Sequence, residues 1–173
     1  MEFISNNDNE DSGTVTSDGS LENIWVAASD GNMQQVKALI DNGINAVNEQ
    51  DINGYSAIHA AASYGHEELI KYLISIGANV NLRDNDGDTP ILICEEPEIF
   101  LLLKSYGADP TTVNNMGEGI FEKMVEDEND MMIRFLVTQG LVSAERAEAA
   151  LAKINDNIID EEDDNEIDDM IVE

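Results

Sequence analysis

Asp51-Ile-Asn-Gly-Tyr-Ser-Ala-Ile-His-Ala-Ala61 and Asp84-Asn-Asp-Gly-Asp-Thr-Pro-Ile-Leu-Ile-Cys94 align position by position, 33 residues apart. Each opens on Asp-x-x-Gly, turn chemistry in which glycine takes the positive φ that a tight hairpin needs. Ser56 and Thr89 follow, where a side-chain oxygen can cap a helix. Pro90 then fills a first helical position, where its missing N–H costs nothing. Ala60, Ala61 and Ala62 are small enough for helices to pack closely. Leu69, Ile70, Leu73 and Ile74 form an apolar stripe at helical spacing, and Gly77 ends that helix in the left-handed conformation. The unit reads turn, helix, loop, helix, turn.

The unit recurs along the chain. Gly43, Gly77, Gly107 and Gly140 each close an apolar helical run, and Gly54, Gly87 and Gly117 each open a repeat. The span from opening to closing glycine is 23 residues in repeats two and four and 20 in repeat three. A unit of this length cannot bury its apolar face alone and must stack on its neighbours. Ser56-Ala-Ile-His-Ala-Ala-Ala-Ser-Tyr-Gly-His66 and Gly77-Ala-Asn-Val-Asn81 resemble the ankyrin repeat family, as do Thr89-Pro-Ile-Leu92 and Gly107-Ala-Asp109. Repeat one, from Ile24-Trp-Val-Ala-Ala-Ser-Asp-Gly31 through Gly43, resembles an amino-terminal capping repeat. Repeat four, Asn114 to Gly140, keeps the apolar pattern but carries Glu122 at the family's His position.

The resemblance covers residues 20–141 and implies an all-α solenoid of about four helix pairs with short hairpin tips. Two departures stand out. Repeat one has one extra residue before Asp51, and repeat three lacks three residues between Leu92 and Leu101, where Cys94-Glu-Glu-Pro97 replaces the usual Gly-His turn. Losing nearly one helical turn shortens the first helix of repeat three and predicts a notch in the wall. Ser143-Ala-Glu-Arg-Ala-Glu-Ala-Ala-Leu-Ala-Lys-Ile154 reads as a final capping helix over 142–155, with Ala147, Ala150, Leu151 and Ile154 on a narrow apolar face.

Charge bounds the function. Eight Lys and Arg meet 37 Asp and Glu, for a net charge of −29. A chain that repels phosphate this strongly is a poor candidate for direct nucleic-acid binding or for anionic membranes. Hydrophobic residues make up 42%, too many for a wholly disordered chain. Residues 1–19 read as a disordered acidic leader. Residues 156–173 hold ten acids and no base and read as a disordered acidic tail. The single cysteine, Cys94, forbids an internal disulfide. No apolar run approaches the length of a membrane helix, and the start lacks the pattern of a signal peptide. The expectation is a cytoplasmic and/or nuclear protein, monomeric when free.

No constellation for catalysis emerges. His59 and His66 are the only histidines, and the resemblance gives both a structural role. Asp84-Asn-Asp-Gly-Asp88 has the flavour of a calcium loop, but a loop of that type wants an acid and a Glu where Leu82 and Ile93 stand. Glu95 and Glu96 should raise the pKa of Cys94 and suppress its thiolate. Gly117-Glu-Gly119 has no third glycine and no preceding strand, so it reads as a turn rather than a phosphate loop. The chain is read as a non-enzyme without cofactor or metal.

The binding face carries the functional expectation. The resemblance implies that partners meet the hairpin tips and the exposed side of the first helices. Carried to this chain, that face offers Trp25, Asp30, Tyr55, Tyr64, Asp86, Asp88, Glu95, Glu96 and Glu118 as partner-binding residues. Acids supply a field for a basic protein, and aromatics supply contact area. The expected function is an interaction module for a basic protein. It resembles in outline the small acidic ankyrin chaperones that escort ribosomal proteins. A regulatory inhibitor or adaptor subunit is the alternative.

Overall fold

The computed structural model describes residues 14–15, 21–43 and 45–162. The expected leader lies outside the described residues except for Thr14–Val15, and the expected tail lies outside them from residue 163. Eight helices follow in chain order among the described residues. Repeat one contributes α1 (Ile24–Ser29) and α2 (Met33–Asp41), and repeat two α3 (Ala57–Ser63) and α4 (Glu67–Ser75). Repeat three contributes α5 (Pro97–Ser105) alone. Repeat four contributes α6 (Ile120–Glu126) and α7 (Asp130–Thr138), and α8 (Ala144–Glu162) ends the described chain. The molecule is an all-α ankyrin solenoid.

Repeat three departs furthest from the regular unit. The sequence predicts a shortened first helix, and the structure has none: Pro90–Ile93 form only a turn, with Leu92 N–H bonded to Thr89 O at 2.9 Å. The turn still fills the core, because Ile91, Leu92 and Cys94 are fully buried. One continuous apolar core runs from Ile24 through Phe100 to Ile154. Phe100 of α5 meets Phe135 of α7 edge-on, ring centroids 5.5 Å apart, a favoured aromatic geometry.

Two elements reach into the segments read as disordered. Thr14–Val15 (β1), within the expected leader, pairs antiparallel with Leu21–Glu22 (β2), Thr14 opposite Glu22. Helix α8 runs on past residue 155 to Glu162, because no Gly or Pro interrupts residues 144–162. Ala147, Leu151 and Ile154 of this helix are buried against repeat four.

The hairpin tips repeat one design. Asp51 Oδ1 accepts from the amides of Asn53 and Tyr55, both at 2.8 Å. Asp84 Oδ1 does the same for Asp86 and Asp88, and Asn114 Oδ1 for Met116 and Glu118. Neighbouring tips are then stitched: Asn85 N–H donates to Asn53 O and Asn115 N–H to Asp86 O, each at 2.9 Å. Asn85 Nδ2 bonds Ile52 O, and Asn115 Nδ2 bonds Asn85 O. Gly54 sits at φ 78°, and a Cβ there would lie 2.6 Å from Asn85 N.

Two substitutions test this account. Gly54→Val meets both a forbidden backbone region and the next repeat's backbone, so it should lower unfolding free energy by about 3 kcal/mol. An unchanged denaturation midpoint would refute the tip geometry. Glu128 is the described non-glycine residue with positive φ, at 53°, and holds the place that Gly31 (φ 65°) and Gly65 (φ 73°) take before α2 and α4. Left-handed strain of about 1–2 kcal/mol exceeds glycine's entropic cost of about 0.5–1 kcal/mol. Glu128→Gly should therefore stabilise the chain by about 0.5–1 kcal/mol, read as a higher melting midpoint.

Candidate functional site

The proposed partner face runs along the tips and the inner side of the first helices. Local capping places its residues. Ser56 caps α3: its hydroxyl lies 2.7 Å from His59 Nδ1, and its amide donates to the same nitrogen at 3.3 Å. His59 Nε2 reaches Asp88 O at 3.2 Å, so the proton sits on Nε2 and Nδ1 accepts. Burial pushes the His59 pKa down, against the opposing pull of the Asp88 carbonyl. In repeat four Glu122 takes over the local part of this role, accepting from Gly119 N–H at 3.0 Å, and its other oxygen pairs with Arg146 of α8. His66 does the second inter-repeat job: its Nε2 meets Ser29 O at 2.6 Å, with the ring lying over Gly31. Both histidines are bound into contacts within and between repeats.

The structure sorts the nine expected site residues. Asp30, Asp86, Glu95 and Glu96 are exposed, and Tyr64 is 61% exposed. Trp25 and Tyr55 are half-buried and pack against the core, Tyr55 with its ring centroid 5.3 Å from that of His59. Burial raises the Tyr55 pKa, tempered by a hydrogen bond to Ser63. Glu118 is half-buried and accepts from Asn114 Nδ2 at 3.0 Å. Tyr55 and Trp25 are thus partly committed to the fold, which leaves Tyr64 as the exposed aromatic of the face.

Asp88 is the correction. It is 7% exposed, and its Oδ2 lies 2.7 Å from Lys123 Nζ of α6. It serves the joint between repeats three and four and presents nothing to a partner. Burial works against the Lys123 ammonium, but the hydrogen bond and charge of Asp88, with Glu118 and Asp127 beyond, carry its pKa above the ordinary value. Arg83 is also taken: its guanidinium bonds Val113 O and Thr112 Oγ1.

Residues outside the expected set add apolar area. Ile52 is 92% exposed and Met116 74% exposed, at the tips of repeats two and four. Val26, on α1, is 55% exposed although its neighbours Ala27 and Ala28 are buried. The signal for the tip residues was their place in the turn motif, where the side chain has no neighbouring repeat to cover it.

The remaining chemistry candidates resolve into structure. Asp84 Oδ1 is occupied by its own loop amides, and no cluster of three or more potential metal ligands occurs among the described residues. Cys94 is fully buried and its thiol is pushed up to about 12, first by burial and then by Glu96 and Glu95. A groove between α6 and α8 is lined by Phe121, Glu122, Val125, Arg146, Ala149, Ala150 and Lys153. No helix among the described residues is long and apolar enough to cross a membrane.

Comparison with known proteins agrees with this architecture. A family model, ankyrin repeats in three copies, matches residues 24–114, just over half of the chain. The chain belongs to the ankyrin repeat family, whose repeats mediate protein–protein binding. An ankyrin repeat-containing protein of Schizosaccharomyces pombe is 50% identical over 96 residues, covering 55% of this chain and 46% of that protein. Human BCL-6 corepressor-like protein 1 is 39% identical over 93 residues, 52% of this chain and 5% of its own length. Rat protein phosphatase 1 regulatory subunit 12A is 37% identical over 97 residues, 54% of this chain and 9% of its own length. The matched region thus spans less than half of each of these relatives.

His59 makes the fold sensitive to acid. Its folded pKa lies below the ordinary 6.5, so the unfolded chain takes up the proton first as pH falls. The contribution is complete above 6.5 and is lost below it. Comparing chemical denaturation of the wild type and His59→Gln from neutral pH down to about pH 5 should show a steeper loss in the wild type. Parallel curves would mean His59 is not held neutral.

Proposed function

We propose that this chain is a non-enzymatic interaction module that binds a basic protein partner through its tips and first-helix face. The observation that carries the reading is the one-sided charge of that face. Asp30, Asp86, Glu95, Glu96, Glu126 and Asp127 are exposed there, while Lys123 and Arg83 are tied into repeat contacts. The field draws a cationic surface in, and salt weakens that pull. Tyr64, Ile52 and Met116 supply contact area that salt affects less. An escort that shields a basic client until delivery is the biological form this chemistry suits, in the cytoplasm or nucleus. A regulatory-subunit reading is favoured by one specific likeness, the regulatory subunit of protein phosphatase 1.

Salt separates the two. Partners captured on the full chain at low salt should be basic and should elute steeply with ionic strength. Charge reversal by Asp86→Lys with Glu96→Lys should slow association by about tenfold, whereas Tyr64→Ala should mainly speed dissociation. Truncation after Glu162, which spares α8, should flatten the salt dependence. An acidic partner, or binding indifferent to salt and to charge reversal, would overturn the electrostatic reading in favour of the regulatory one.

A further inference from the structure

The stack is stitched evenly at its tips but not behind them. α1 and α3 pack directly on each other, with Ala27, Ala28, Ala60 and Ala61 fully buried. α6 packs on α7 and α8, and Ile120, Met124, Met132, Ile133 and Leu136 of α6 and α7 are buried. Between α3 and α6, where a first helix of repeat three would stand, there is only the turn at Pro90–Ile93.

The missing helix leaves polar traces. Thr89 occupies the place of Ser56, but Leu92 occupies that of His59, and Thr89 Oγ1 and Asp88 Oδ1 are buried with no protein partner among the described residues. The other oxygen of Asp88 takes Lys123, with side chains 9% and 19% exposed. The remaining described ion pairs either lie within one helix or join α6 to α8. Behind the tips, repeat three is also tied to repeat four by the Phe100–Phe135 contact, by Asn129 Nδ2 to Glu95 O at 3.0 Å and by Lys104 Nζ to Gln139 Oε1 at 3.5 Å.

We propose that the chain is built of two folding blocks, α1–α4 and α6–α8, which part at the helix-poor repeat three, and that the Asp88–Lys123 ion pair is the latch there. A solenoid's stability is a sum of repeat terms and interface terms, so a missing helix weakens one interface and leaves the others intact. A largely buried ion pair at the weakened interface has outsized leverage, because losing one partner strands the other's charge. The inference does not depend on what the protein binds.

Native-state hydrogen exchange on the full chain tests it. In the wild type, amides of α6–α8 should share one opening of lower free energy than those of α3 and α4. Lys123→Met, which keeps the length and removes the charge, should speed exchange in α6–α8 on the order of a hundredfold and leave α3 and α4 unchanged. If that variant does not fold, Asp88→Asn gives the same local readout with a milder change, and the wild-type pattern still decides. One common opening for all helices, or equal acceleration in α3 and α6, would overturn the two-block reading.

Discussion

Repeats two, three and four meet through their turns, and those of repeats two and three leave no room for a side chain at the crest. Gly54 and Gly87 combine positive φ with a close approach by Asn85 and Asn115 of the following turn. The residue that opens each hairpin folds it by binding two of its own amides, so the turn is shaped before it meets its neighbour. Everything else inherits its register from that contact. The helices behind the tips are six to nine residues in repeats one to four, too short to persist alone in water, and exist because stacking covers them.

Repeat three shows what this constraint tolerates. It keeps the turn, with Asp84 and Gly87 in place, and discards the helix that usually follows. The stack survives because the tips set the spacing between repeats and the aliphatic residues of the shortened loop still reach the core. The loss falls instead on hydrogen bonding. Ser56 has His59 to answer its hydroxyl, and Thr89 has no equivalent. Repeat four compensates from the other side: Lys123 answers Asp88, and Glu122 replaces a histidine's local bond while turning outward to Arg146.

The repeat, its turns and the notch were legible because each depends on residues close in sequence. Glycine at the crest, an oxygen at the cap and a three-residue deletion all announce themselves locally. Asp88 was not legible, since its counterparts Tyr55 and Glu118 are half-buried and only Lys123, 35 positions away, decides that it is covered. The strained backbone at Glu128 was hidden for the opposite reason: the structure imposes a glycine conformation on a residue whose type gives no hint of it. The run of α8 beyond 155 was missed because charge was weighed as a stop signal, whereas helices stop at Gly, Pro or a cap.

The same sorting changes what the candidate face can offer. Of its aromatics, Trp25 and Tyr55 already share their area with the core, so truncating either would disturb folding and binding together. What is spare is Ile52 and Met116 at the tips and Tyr64 at the end of α3, with the exposed Asn53, Asn85, Asp86 and Asn115 of the turns. Scattered apolar side chains of this kind give modest contact energy, and the asparagines between them are already spent on the ladder through their backbones or amides. On the proposed reading, therefore, the acids govern encounter, and release needs little contact to be broken. That balance suits a protein that takes up a cationic client quickly and gives it up, more than one that must hold a partner for long.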